Sequence, residues 1–217
     1  MNDLTAPEAR VRQDGHKLLA GVDETGRGAL AGPLLAAAVI LPEGFDAQGI
    51  RDGKTLKPAQ RERVYRRILA EAIEVSVCWV SPTVLDTATE GNTFDECHKE
   101  LLKRTVAALE PQPDFVLVDY LELDLPLPNC SIDHGESVSV SIAAASIVAK
   151  VSRDRMMADL GRHFDRWALD ANKGYGPEQI KFIELHGVNP VHRLSSDGVK
   201  RALRTYAAGQ SPKSDES

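Results

Sequence analysis

Runs of consecutive apolar residues mark the first part of the chain. HKLLAGV, near 17–23, and LLAAAVIL (34–41) read as two strands buried on both faces, joined by a glycine-rich loop. PEGFDAQGIRDGK is a turn-rich connection. PAQRERVYRRILAEA then changes period to that of a helix, with Pro58 in its first turn and Val64, Ile68 and Leu69 as its apolar face. IEVSVCWV (73–80) alternates and is rich in β-branched residues, predicting a third strand. SPTVLDTA and NTFDECHKELLKRTVAALE predict helices, capped by Ser81 and by Asn92 or Thr93.

FVLVDY (115–120) predicts a fourth, fully apolar strand ending in Asp119, and CSI (130–132) a short fifth. SIAAASIVAKVSRDRMMADLGRHF (141–164) predicts one long helix whose small residues allow close packing on a sheet. NKGYGPEQIKFIELHG, NPVHRLS and DGVKRALRTYAA predict loop and helix. The element order is that of an α/β fold with helices on a mixed sheet. The expected organisation is a loose leader over 1–15, one domain over 16–208 with a helical part from about 165, and a disordered tail over 209–217.

Composition narrows the class. The longest apolar run is LLAAAVIL, far short of the roughly 20 residues of a membrane span, and the polar start lacks a signal-peptide core. A cytoplasmic protein without a membrane partner is expected. Cys78, Cys97 and Cys130 are widely spaced with no CxxC pair, so free thiols are expected rather than a disulfide framework or structural zinc. Net charge is −6, but residues 150–204 carry eleven Lys and Arg against seven Asp and Glu. That segment is therefore +4 and the remainder −10. The asymmetry suits either a polyanion-binding region or a solvated helical surface.

The candidate chemistry lies in GVDETGRGALAGP (21–33). Asp23 and Glu24 close one apolar strand and Asp119 closes another, and ligand sites of α/β sheets lie outside such strand ends. A lone Asp there is ordinarily a cap or turn former. Several carboxylates together repel unless a cation compensates, and an all-oxygen set favours Mg²⁺ or Mn²⁺. Neighbours on a strand point to opposite faces, so a joint role for Asp23 and Glu24 requires the strand to end or bend there. The loop itself is G-x-G-x-x-x-G followed by Pro33 and a strand, not the G-x-G-x-x-G and helix of a dinucleotide site. It presents backbone N–H groups to a close ligand, or else forms a hairpin turn with Arg27 solvated.

VDETGRGALAGPLLAAAVIL resembles the signature opening of the ribonuclease HII (type 2 ribonuclease H) family. FVLVDY resembles that family's second acidic strand, IAAASIVAKVSRDRMM its long helix, and NKGYG with NPVHRLS its C-terminal elements. The resemblance implies a ribonuclease H-like fold, a mixed sheet flanked by helices. It also implies a metal-dependent endonuclease acting on RNA–DNA hybrids and on single ribonucleotides in duplex DNA. It further implies incision 5′ of the ribonucleotide, leaving 3′-hydroxyl and 5′-phosphate ends, with Mn²⁺ or Mg²⁺ as cofactor; independently of the resemblance, a monomer is the default expectation and the oligomeric state is open.

Carried over by position, Asp23, Glu24 and Asp119 are metal ligands. Gly26, Arg27 and Gly28 sense the ribose 2′-hydroxyl, and Tyr175 stacks on the neighbouring sugar. The family's fourth acid, usually Asp, falls on Glu136 in HGES, with Asp133 as competitor. Asp154 reads as structural. Tyr120 stands where Gly often follows the strand Asp. Lys54, in RDGKTL, joins Arg27, Lys150, Lys173 and Arg193 as candidate phosphate contacts. His134 and His192 are assigned no essential role, although His134 lies near Glu136. Two alternatives are a hybrid-binding protein without activity and a nucleotide-binding module using the glycine loop.

Overall fold

The computed structural model describes residues 4–50, 56–90 and 94–210. Five strands form one mixed sheet in the order β3-β2-β1-β4-β5: β1 (Leu19–Thr25), β2 (Leu34–Ile40), β3 (Glu74–Val80), β4 (Phe115–Asp119) and β5 (Asn129–Ile132). Strand β1 runs antiparallel to β2 and parallel to β4, and β4 runs parallel to β5. All seven β2 side chains are buried, as its unbroken apolar run requires.

The helices are α1 (Ala6–Gln13), α2 (Pro58–Glu71), α3 (Pro82–Glu90), α4 (Phe94–Ala107), α5 (Val140–His163), α6 (Leu169–Asn172), α7 (Gly176–His186) and α8 (Asp197–Gln210). The Ser81 hydroxyl accepts the Val84 N–H at 3.3 Å, the cap expected for α3. Asn92 and Thr93 lie outside the described residues, as do Lys54 and residues 211–217. In α2 the buried face is Val64, Tyr65 and Ile68, whereas Leu69 is 47% exposed. The apolar face predicted for α2 is thus corrected by one position, because Tyr65 takes the place given to Leu69.

The N-terminal segment differs from the loose leader expected of it. Residues 6–13 form α1, and Val11 packs with Leu19, Leu117 and Ile142. Glu8 is buried; its Oε1 accepts the Ser139 hydroxyl at 2.6 Å and the Ser141 N–H at 2.9 Å. A carboxylate is favoured there because the first N–H groups of α5 have no partner within the helix.

Two compact units make up the chain. One comprises residues 1–25, 35–79 and 95–153, and holds nearly all of the sheet with α1, α2, α4 and most of α5. The other comprises 26–34, 80–94 and 154–217. In the first, α5 lies against β1 so closely that a Cβ on Gly21 would stand 2.0 Å from the Ser141 carbonyl carbon. Only glycine allows that approach. In the second, Ile183, Val199 and Ala202 form one small core, and Ala31, Met157 and Leu169 another.

Candidate active site

Strand β1 ends at Thr25, one residue past its acids, with Asp23 opposite Ala37 and Glu24 opposite Ala36 in the β2 register. Asp23 faces α5, where it accepts a hydrogen bond from the Ser146 hydroxyl, and Glu24 faces α4, where its Oε2 lies 3.3 Å from His98 Nε2. Glu24 N–H also donates to Asp23 Oδ1 at 2.7 Å. Val22 pairs with Val118 in parallel register, so the next residues of the two strands, Asp23 and Asp119, stand side by side.

Asp119 Oδ1 accepts the Gly135 N–H at 2.7 Å, from the turn between β5 and α5. The same turn, Gly135–Ser137, buries Glu136 and brings its carboxyl into a hydrogen bond with that of Asp119. Asp133 is exposed. A cleft of about 370 Å³ is lined by Glu24, Asp119, Tyr120, Leu121, Asp133, His134 and Glu136. Tyr120 is 65% exposed and has φ 60°, the left-handed region that glycine enters freely.

The electrostatics of this cluster are those of crowded acids. Burial, and then the charges of Glu24 and Asp119, hold the Asp23 carboxyl well above the ordinary carboxylate range, although Ser146 and the Glu24 N–H oppose this. Burial and then Glu136 push Asp119 up to about 6, with Gly135 N–H opposing and Glu24 adding to the rise. Carboxyls that cannot all ionise together are relieved by a cation. Among the described residues no three His, Cys, Asp or Glu side chains could hold a metal ion as they stand. A hard divalent ion of the Mg²⁺ type needs only one or two protein carboxylates, with water and phosphate oxygens completing its shell. The all-oxygen donor set fits that requirement.

In the second unit the glycine loop and the KGYG segment come together. Leu30 N–H and Ala31 N–H both donate to the Gly174 carbonyl, at 2.8 and 3.3 Å. Gly174 has φ 80°, and a Cβ on it would stand 2.4 Å from the Ala31 oxygen, so the contact requires glycine. Tyr175, next in the chain, is half-buried and precedes α7. Arg27 and Gly28 are exposed, and a Cβ on Gly28 would meet nothing within 4 Å.

Arg193, expected among the phosphate contacts, is instead buried. Its Nε donates to the Gly32 carbonyl at 2.9 Å and its Nη1 to the Arg27 carbonyl at 3.1 Å. It braces the loop, because a guanidinium satisfies several carbonyls that a turn leaves open. His192 is buried beside it, and burial lowers its pKa to about 4. Asn189 N–H donates to His192 Nδ1 at 2.9 Å, and on the other side of the ring Nε2 lies 2.7 Å from Gln179 Nε2. Lys173 Nζ donates to the Asp154 carbonyl at 3.4 Å, and Lys150 is half-buried on α5. The three cysteines are free and partly buried.

His98, Ser146 and Gly135 touch the acids and were not expected from the sequence. The one signal for His98 is a histidine on the helix face that also carries Leu101, Leu102, Thr105 and Val106.

A family model described as Ribonuclease HII matches residues 20–196. A curated Ribonuclease HII from Bacillus cereus is 43% identical over 203 residues, which are 93% of this chain and 77% of that relative. Among solved structures, ribonuclease H2 from Pyrococcus horikoshii OT3 superposes with a TM-score of 0.75 at 22% identity, over 87% of this chain and 98% of that one. Bst-RNase HIII in complex with Mn²⁺ superposes with a TM-score of 0.70 at 23% identity, over 91% and 72%. At these identities the two structures speak to the fold alone, an α/β ribonuclease H-like sheet with flanking helices.

Proposed function

The chain belongs to the ribonuclease HII family and is a ribonuclease H enzyme; from that premise we propose that it is an endonuclease cutting the RNA strand of RNA–DNA hybrids. Its second substrate is duplex DNA holding a single ribonucleotide, cut on the 5′ side to leave 3′-hydroxyl and 5′-phosphate ends. The observation that carries this reading is the acidic cleft. Glu24, Asp119 and Glu136 line it, and Asp23 stands beside Asp119. Buried anions facing a polyanionic substrate make chemical sense only with cations between them.

Asp23, Glu24 and Asp119 are the residues that would hold divalent ions, two during catalysis, with Glu136 as the fourth catalytic acid. Bound Mn²⁺ or Mg²⁺ supplies Lewis acidity toward the scissile phosphodiester and neutralises charge there. The protein's part is orientation. Gly135 N–H holds one Asp119 oxygen and so fixes the direction of that carboxyl. Ser146 directs Asp23 from α5. Gly26 and Gly28 give the ribose 2′-hydroxyl access to backbone groups, the feature that separates RNA from DNA. Arg27 pairs with a phosphate and Tyr175 stacks on the adjoining sugar. Lys54 and Lys150 extend the phosphate contacts, which position the duplex and carry no base information.

The test is cleavage of a labelled duplex with one ribonucleotide, in Mn²⁺, in Mg²⁺ and in chelator, beside an all-DNA control. The expected result is a metal-dependent cut 5′ of the ribonucleotide with all-DNA intact. Binding without a cut in either metal, by folded protein, would overturn the endonuclease reading and leave a hybrid-binding protein.

A further inference from the structure

His98 sits on α4 and is 1% exposed, among Leu101, Leu102, Thr105 and Val106 of the same buried face. Packing alone does not call for a histidine there. A buried imidazole needs partners for its nitrogens, and an apolar residue of similar volume would need none. Neither ring nitrogen has a hydrogen-bond partner among the described residues. The polar contact nearest the ring is at Nε2, 3.3 Å from Glu24 Oε2. That separation is close to hydrogen-bonding distance. Glu24 is the acid that β1 turns away from Asp23, toward α4. Its carboxylate stands at the edge of the cleft, 18% exposed.

We propose that His98 is a positioning residue for Glu24. Its Nε2–H holds Oε2 and thereby aims Oε1 into the cleft in one rotamer. Asp23 and Glu24, sent to opposite faces by strand alternation, are thus each fixed by a helix: Asp23 by Ser146 of α5, Glu24 by His98 of α4. Groups that hydrogen-bond a metal-binding carboxylate from behind set its orientation, and their loss commonly weakens binding or activity about 10–100-fold. The inference rests on the reading of Glu24 as a cation ligand.

The experiment measures Mn²⁺ binding to the protein alone by calorimetry, then kcat and KM on the single-ribonucleotide duplex. The variants are His98→Leu, His98→Gln, His98→Asn and Glu24→Gln. Loss of the donor in His98→Leu should weaken Mn²⁺ binding about tenfold and lower kcat, with KM for the duplex little changed. His98→Gln, whose amide nitrogen reaches the position of Nε2, should recover most of both. His98→Asn, equally polar but too short, should not. In a Glu24→Gln background, His98→Leu should have no further effect on Mn²⁺ binding.

Wild-type Mn²⁺ affinity and kcat in His98→Leu would overturn the proposal. So would losses in His98→Gln and His98→Asn that are equal and follow their melting temperatures, because that is the behaviour of a packing residue. Should His98→Leu not fold, the Gln and Asn pair decides alone. If Glu24→Gln itself binds Mn²⁺ as the wild type does, the reading of Glu24 falls first, and the two failures are thereby told apart.

Discussion

Glu136 and Asp133 are three residues apart and both carboxylic, yet their surroundings differ. Glu136 is buried and hydrogen-bonded to Asp119, whereas Asp133 is exposed on the rim of the same cleft. Asp119→Asn should keep the fold and reduce cleavage by about a thousandfold, the scale on which removing one electrostatic group from an active site is felt. Glu136→Gln should follow it at a smaller loss, and Asp133→Asn should stay within a few-fold of wild type. Single-turnover cleavage of the three variants checks the order; a larger loss in Asp133→Asn would make Asp133 the fourth acid. HGES in the sequence marks Glu136 and Asp133 as the two candidates for a further acid. Which of the two acids meets Asp119 was not legible there, because that depends on a turn which buries one side chain and leaves the other in water.

At the scale of elements, α1 and α5 hold each other. Glu8 accepts from Ser139 and Ser141 at the start of α5, and Val140 N–H donates to the Leu4 carbonyl at 2.7 Å. Ser139 N–H in turn donates to the Gly135 carbonyl at 2.8 Å, in the turn that carries Glu136. Glu8→Ala removes one acceptor and leaves a buried hydroxyl and a buried N–H open. It should cost about 2 kcal/mol, the scale of hydrogen bonds to a charged group. Urea unfolding of the two proteins measures this; an unchanged midpoint would mean that the helix end finds another acceptor. Periodicity located α5 and the strands to within a residue or two. It could not find the docking of α1, because a short polar helix with one buried acid has the composition of a leader.

At the scale of the whole molecule, stability against acid is set in part by His192. Its pKa is lowered by burial from 6.5 to about 4. The neutral ring is the folded form, so its contribution is complete above pH 6.5 and is lost as pH falls through about 4. The loss amounts to about 3 kcal/mol at pH 4. In chelator, the difference in unfolding free energy between wild type and His192→Asn should therefore shrink by about that amount from about pH 7 to about pH 4. An equal difference at both would mean that the ring is charged, or exposed, when folded. The amino-acid order by itself determined the α/β class, all five strands, the long small-residue helix, the three acids at strand ends and the membership of the family. The elements follow from local periodicity, the acids from residues close together in the chain, and the family from the resemblance of several ordered motifs along it. Only the tertiary structure decided that Asp23 and Glu24 face opposite helices, that Glu136 is the acid beside Asp119, that Arg193 braces the glycine loop, and that His98 stands behind Glu24. Each of these depends on burial and on partners from separate elements, as with His98 and Glu24, 74 residues apart in sequence, and no local pattern encodes such a meeting.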